Sequence, residues 1–274
     1  MSNLVSTQWL AAHLGDASLV TLDATWHLPT LKRHAREEFV AAHIPGARFF
    51  DLDKTSDQTT SLPHMLPTAE HFAAMMGALG IGDDTHVITY DSYGLFSAAR
   101  SWWMFKVFGH DKVSVLDGGL KKWQAEGRAT ASGEPPLAKP MLFNATLNST
   151  MVRSMAQVAS ADAQVADARS PTRFRGEEPE PRPGVKPGHM SGAHNVHYAG
   201  LLTENGALKS ASALSEKFTA NGVELDKPII TSCGSGVTAA ILSLALTELG
   251  VKDHALYDGS WAEWGASDQP IELG

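Results

Sequence analysis

The chain holds one cysteine, Cys233, in 274 residues. That excludes an internal disulfide and any four-cysteine zinc site, and a reducing compartment is the simplest setting for a lone thiol. Positive charge is also scarce: 22 Lys and Arg stand against 30 Asp and Glu, a formal charge of -8. Neither a nucleic acid nor an anionic membrane surface is expected as the main partner. No apolar run approaches the roughly 20 residues that span a bilayer. The opening stretch MSNLVSTQWLAAHLGDASLV lacks a basic segment followed by an apolar core, so no secretory signal is expected and the protein reads as cytoplasmic. There is no G-x-x-x-x-G-K-[ST] loop and no dinucleotide fingerprint. His64 and His71 have no ligand cluster around them with zinc-site spacing. Neither a cofactor nor a metal is expected.

What is present is a duplication. VITYDSYGLFSAARSWWMFKVFG from Val87 and IITSCGSGVTAAILSLALTELG from Ile229 share one plan: an apolar strand, a polar or glycine turn, and a helix ending at glycine. DGGLKKW from Asp117 pairs with DGSWAEW from Asp258, HIPGARFF from His43 with HMSGAHNV from His189, and LDATW at Asp23 with ADARS at Asp167. The four offsets lie between 141 and 146 residues and keep the same order, which implies two tandem domains of ordinary size. The stretch EGRATASGEPPLAKP, residues 126–140, is rich in Gly, Pro, Ser and Ala without period, as linkers are. The division expected is a first domain over 1–127, a linker over 128–142 and a second domain over 143–274. After the linker, a helix capped by Ser149 or Thr150 is expected.

Short apolar runs alternate with helical patterns in both halves. In TAEHFAAMMGALG, for example, Phe72, Met75, Met76 and Leu79 share a face. The fold class that follows is α/β, each domain a mostly parallel sheet flanked by helices. Ligands of such sheets sit beyond the carboxyl ends of the strands, which is where PIITS delivers Cys233. Gly234 and Gly236 allow a tight curl with several N–H groups pointing inward, and the helix that follows adds its positive end. Such a position favours a nucleophilic thiolate. The alternative is a buried, inert cysteine, for which a glycine loop at a helix start is a poor location.

CGSGVTA resembles the active-site loop of the mercaptopyruvate sulfurtransferase branch of the rhodanese superfamily. FVAAHIPGARFF resembles that superfamily's N-terminal signature and DGSWAEW its C-terminal one. The resemblance implies two rhodanese-like domains with the catalytic cysteine in the second; the first-domain counterpart of Cys233 is Asp91, which cannot carry a sulfane sulfur. It further implies transfer of sulfur from 3-mercaptopyruvate, through a persulfide on Cys233, to cyanide, a small thiol or a thioredoxin-like acceptor, with release of pyruvate. Thiosulfate-preferring relatives usually carry basic residues just after the cysteine, whereas Gly234 and Ser235 are neutral. Related phosphatases need an arginine six residues on, where this chain has Ala239. A thiosulfate:cyanide sulfurtransferase and a persulfide-carrying or sensing module remain the alternatives.

The same resemblance assigns site residues. Arg173 and Arg182 match the substrate-binding arginines, and a donor carboxylate calls for such planar forks. His64, in an HMLP element, matches a histidine oriented by Asp53 and working through Ser235, a relay suited to moving a thiol proton. Asp51 and Asp57 flank Asp53 closely enough that this assignment depends on register. The backbone around Gly234, Gly236, Val237 and Thr238 is expected to hold the anionic sulfur. Arg169 is expected in a structural ion pair, and Arg175 is left between site and surface. His43 and His189 are expected to be structural, and Trp102, Trp103, Trp261 and Trp264 to pack cores.

Overall fold

The structure, a computed structural model, describes residues 2–274 and divides into two compact units. The first runs to Asp57 and takes in Pro67–Asn148 and Glu204–Leu208; the second comprises Gln58–Leu66, Ser149–Thr203 and Lys209–Gly274.

In the first unit, β1 (Leu4–Val5), β2 (Leu19–Asp23), β3 (Arg48–Phe49), β4 (His86–Tyr90) and β5 (Val113–Leu116) form one sheet in the order β1-β5-β4-β2-β3. Every pairing is parallel. β2 and β4 are buried at every position after the first, the pattern of a parallel strand covered on both faces. The covering helices are α1 (Thr7–His13), α2 (Ala35–Ala41), α3 (Leu52–Thr55), α4 (Ala69–Ala78), α5 (Ala98–Val107) and α6 (Gly119–Ala125). One core cluster joins Leu10, Phe39, Ile88, Tyr90 and Trp123. Phe72 of α4 packs against Phe105, Phe108 and Phe143.

The second unit repeats the plan. β6 (Val152–Arg153), β7 (Gln164–Asp167), β9 (His194–Asn195), β10 (Ile229–Ser232) and β11 (His254–Tyr257) are ordered β6-β11-β10-β7-β9, again all parallel. A separate antiparallel pair joins β8 (His189–Met190) to β12 (Ile271–Glu272). Its helices are α7 (Met155–Ser160), α8 (Pro171–Phe174), α9 (Ala211–Ala220), α10 (Ala239–Glu248) and α11 (Ser260–Trp264). All four tryptophans expected in cores are buried. Among the described residues, no helix is long and apolar enough to cross a membrane.

Two local expectations differ from what is found. The helix after the linker is capped by Ser154, not Ser149 or Thr150, and Ser154 forms a capping box with Gln157. A single 3-10 turn covers Ser149–Met151, Val152 and Arg153 then pair with β11 as an edge strand, and the α-helix starts only after Ser154. The chain over 128–148 lies on the first unit. Ala131 and His43 exchange backbone hydrogen bonds, Gly133 N donates to Val40 O at 2.7 Å, and Asn148 N donates to Val107 O at 2.7 Å. A Gly/Pro-rich segment still has backbone groups to satisfy, and here the first unit satisfies them, so the break falls at Ser149 rather than 143.

Candidate active site

Cys233 follows the last residue of β10, and six residues, Cys233–Thr238, turn the chain into α10. Gly236 sits at φ 77°, which glycine adopts without penalty. Cys233 is 2% exposed. Its N–H donates to Ser260 Oγ at 3.3 Å, and that hydroxyl donates to Tyr257 O at 2.9 Å. The carbonyls of Cys233 and Gly234 accept from Trp261 N at 2.9 Å and Ala262 N at 3.0 Å. The start of α11 therefore fastens the loop from beneath. This is the physical use of the DGSWAEW element.

The first unit shows how the amides of such a loop surround a buried acidic side chain. At the position aligned with Cys233, Asp91 is fully buried. Its carboxylate accepts from Tyr93 N at 2.9 Å, Phe96 N at 2.7 Å and Ala98 N at 2.8 Å. Burial pushes this carboxyl above its ordinary range, and the backbone N–H groups of 93 and 96–98 work against that shift. The loop amides thus converge on the side chain at the strand end, an anion-binding nest. In the second unit the loop is one residue shorter, and Ser235, Val237, Thr238 and Ala239 align with those amide positions.

Gln58–Leu66 belongs to the second unit. Leu66 N donates to Asp258 Oδ2 at 2.7 Å, and His64 Nδ1 shares a 3.0 Å hydrogen bond with Ser235 Oγ. His64 is buried and held at φ 59°. The first unit has the mirror arrangement: Leu208 N donates to Asp117 Oδ1 at 2.8 Å, and Gly206 at φ 82° occupies the position aligned with His64. A Cβ there would meet Gly94 Cα and Tyr93 O at 2.8 Å, so this segment has no room for an imidazole.

Arg173, from α8, reaches the loop. A Cβ on Gly234 would lie 3.0 Å from Arg173 Nη2 and 3.6 Å from Nη1, so the guanidinium packs on the glycine face just past the cysteine. Glu180 accepts from Arg173 Nε at 3.3 Å and also from Nη2, and from Arg169 Nη1 at 2.9 Å. Arg169 binds Asp167 through Nε and Nη2 and also donates to Gly188 O at 2.9 Å. Its guanidinium lies 4.3 Å from the Trp261 ring centroid. Burial would lower the Arg169 pKa, but Asp167 and Glu180 raise it. The structural role expected for Arg169 matches this geometry.

Arg182 is half-buried in the loop after Glu180. Arg175 pairs with Glu177 at 2.6 Å on the surface. Asp53 belongs to the first unit, where Trp26 Nε1 donates to both its oxygens at 3.2 and 3.3 Å. Asp51 caps α3 by accepting from Lys54 N. His43 and His189 stack on Phe39 and Phe174 and bond their carbonyls, equivalent structural pairs in the two units. Among the described residues, no group of three or more His, Cys, Asp or Glu side chains is placed to hold a metal ion. Glu180 and Ser260 were not singled out from sequence. An acidic residue between two substrate-type arginines was the available signal for Glu180, whereas Ser260 reads as an ordinary helix-start residue.

A rhodanese-like domain model matches residues 6–126 and again 153–267. The human 3-mercaptopyruvate sulfurtransferase is 45% identical over 280 residues, covering 98% of this chain and 94% of the relative. A thiosulfate sulfurtransferase from Cricetulus griseus is 43% identical, covering 95% and 91%. A crystal structure of an Escherichia coli 3-mercaptopyruvate sulfotransferase superimposes with a TM-score of 0.86 at 43% identity, covering 95% of this chain and 99% of that one. With two matched domains, a repeated sheet order and a cysteine loop in the second unit alone, the chain belongs to the rhodanese-like domain family, in its tandem form.

Proposed function

We propose that the chain is a 3-mercaptopyruvate sulfurtransferase with Cys233 as its sulfur carrier. The observation that carries this reading is the Ser235–His64 hydrogen bond within the loop of the chain's one cysteine. Cys233 thiolate attacks the donor's sulfur. The C–S bond breaks, and its electron pair passes to the methylene carbon as the enolate of pyruvate. The proton that leaves the donor's thiol ends on that carbon. Pyruvate departs and a persulfide anion remains on Cys233. Ser235 and His64 pass the proton, and Arg173 and Arg182 receive the donor's carboxylate. The amides aligned with the Asp91 nest stabilise the anionic outer sulfur. Cyanide, a small thiol or a thioredoxin-like protein then takes the outer sulfur. A reducing cytoplasm suits a carrier that must return to the free thiolate.

Intact mass after incubation with each donor tests this reading. One added sulfur with 3-mercaptopyruvate, absent in Cys233→Ser, is expected. Persulfide on the serine variant, or none on the parent, would overturn it. The Cricetulus griseus relative keeps thiosulfate open as donor. A higher kcat/KM for thiosulfate in the same protein would move the assignment to that branch while leaving Cys233 as carrier.

A further inference from the structure

Glu180 has no role in the scheme above, yet it is an almost fully enclosed charge beside the loop. Its side chain is 3% exposed and bridges Arg169 and Arg173. A chain of four charges results, Asp167–Arg169–Glu180–Arg173, two of each sign, ending at the guanidinium that lies on Gly234. Glu180 occupies Nε and one Nη2 hydrogen of Arg173. One Nη1 hydrogen and the second Nη2 hydrogen form the outer edge of the fork. That edge can grip one carboxylate. The cluster as a whole carries no net charge with which to welcome a second negative charge.

We propose that Glu180 is a specificity-determining residue: it aims Arg173 and offsets its charge, so that the Cys233 site favours donors bearing one negative charge over dianions. This rests on the reading that Arg173 receives the donor's carboxylate. A dianion such as thiosulfate would bring its second charge toward a buried carboxylate, whereas 3-mercaptopyruvate brings only a neutral thiol to the sulfur end. The neutral Gly234 then acts twice. It adds no positive charge, and its missing side chain is what lets Arg173 lie close.

The test is steady-state kinetics of the full chain with 3-mercaptopyruvate and with thiosulfate, cyanide as acceptor, on Glu180→Gln, Glu180→Asp and Arg173→Gln. Glu180→Gln keeps the oxygen acceptor and removes the charge. The ratio of kcat/KM for thiosulfate to that for 3-mercaptopyruvate is expected to rise about tenfold, the scale of one charge within a few ångströms at a partly screened site. The change is expected mainly in KM for thiosulfate. Glu180→Asp keeps the charge and should slow both donors with the ratio unchanged. An unchanged or reversed ratio in Glu180→Gln overturns the proposal. Arg173→Gln separates the two failures. If its KM for 3-mercaptopyruvate stays normal, the carboxylate reading falls and this proposal with it. If that KM rises while Glu180→Gln leaves the ratio alone, only the role of Glu180 falls. Should Glu180→Gln not fold, inhibition of the parent decides: methanesulfonate, a monoanion, should inhibit at least about tenfold more strongly than the near-isosteric dianion sulfate. Equal or stronger inhibition by sulfate overturns the proposal.

Discussion

Two non-glycine residues of the second unit hold positive φ beside the catalytic loop, Ser260 at 49° and His64 at 59°. The aligned positions in the first unit are glycines, Gly119 at 53° and Gly206 at 82°. A side chain in this region costs on the order of 1 kcal/mol, and each delivers a contact that glycine cannot make. Ser260 Oγ takes the Cys233 N–H, and His64 reaches Ser235. Ser260→Gly and His64→Gly are therefore expected to unfold within about 1 kcal/mol of the parent, relief of strain set against added chain entropy. Their kinetics should separate. His64→Gly should lose about 10²–10⁴-fold on 3-mercaptopyruvate and far less on thiosulfate, which has no proton to surrender; equal losses would make the histidine a shaper of the loop. Ser260→Gly should lower kcat about tenfold with KM nearly unchanged, because it holds the nucleophile's backbone rather than the donor.

The strand–loop–helix element makes one scaffold serve two ends. With Asp91 the nest closes on its own carboxylate, and three amides are spent on the protein itself. With Cys233 the corresponding side chain is too short to fill the nest, so an anion brought by the substrate can. Gly234 is the point where this element meets α8. A methyl group there would press on Arg173 Nη2 at 3.0 Å, closer than ordinary contact. Gly234→Ala is expected to raise KM for 3-mercaptopyruvate between about threefold and 10²-fold, the range for displacing a substrate-positioning group by a fraction of an ångström up to 1 Å. Persulfide formation at saturating donor should persist, which intact mass reads directly. A normal KM would mean that Arg173 moves aside without consequence.

The two units treat the acidic residue that ends the second strand differently. Asp167 has Arg169 two residues on and forms a buried ion pair. Asp23 has Thr25 there instead; it accepts from Thr25 N at 2.9 Å, and burial raises its pKa to about 6. Because the folded pKa lies above the unfolded one, near 4, the folded form binds the proton more tightly. The stabilisation from this group is complete below about pH 4 and is lost as pH rises to about 6. Asp23→Asn should remove that dependence and stabilise the first unit at neutral pH by about 2–3 kcal/mol, measured as slower hydrogen exchange of β2 and β4 amides in the full chain. No gain at pH 7 would mean that Asp23 keeps its ordinary pKa. Much of this architecture was legible in the residues. The duplication, the alternating elements and the cysteine at a strand end are local or periodic signals, and a chain carries these along its own length. The sequence could not show that residues 58–66 fold with the second unit and 204–208 with the first. It could not show that residues 128–148 lie on the first unit, that Ser260 sits in a strained turn under Cys233, or that Glu180 closes on both Arg169 and Arg173. Those facts depend on which groups meet after the chain has turned back on itself. Contacts between residues far apart in sequence are decided by packing and hydrogen-bond satisfaction over the whole unit, and no local pattern encodes them.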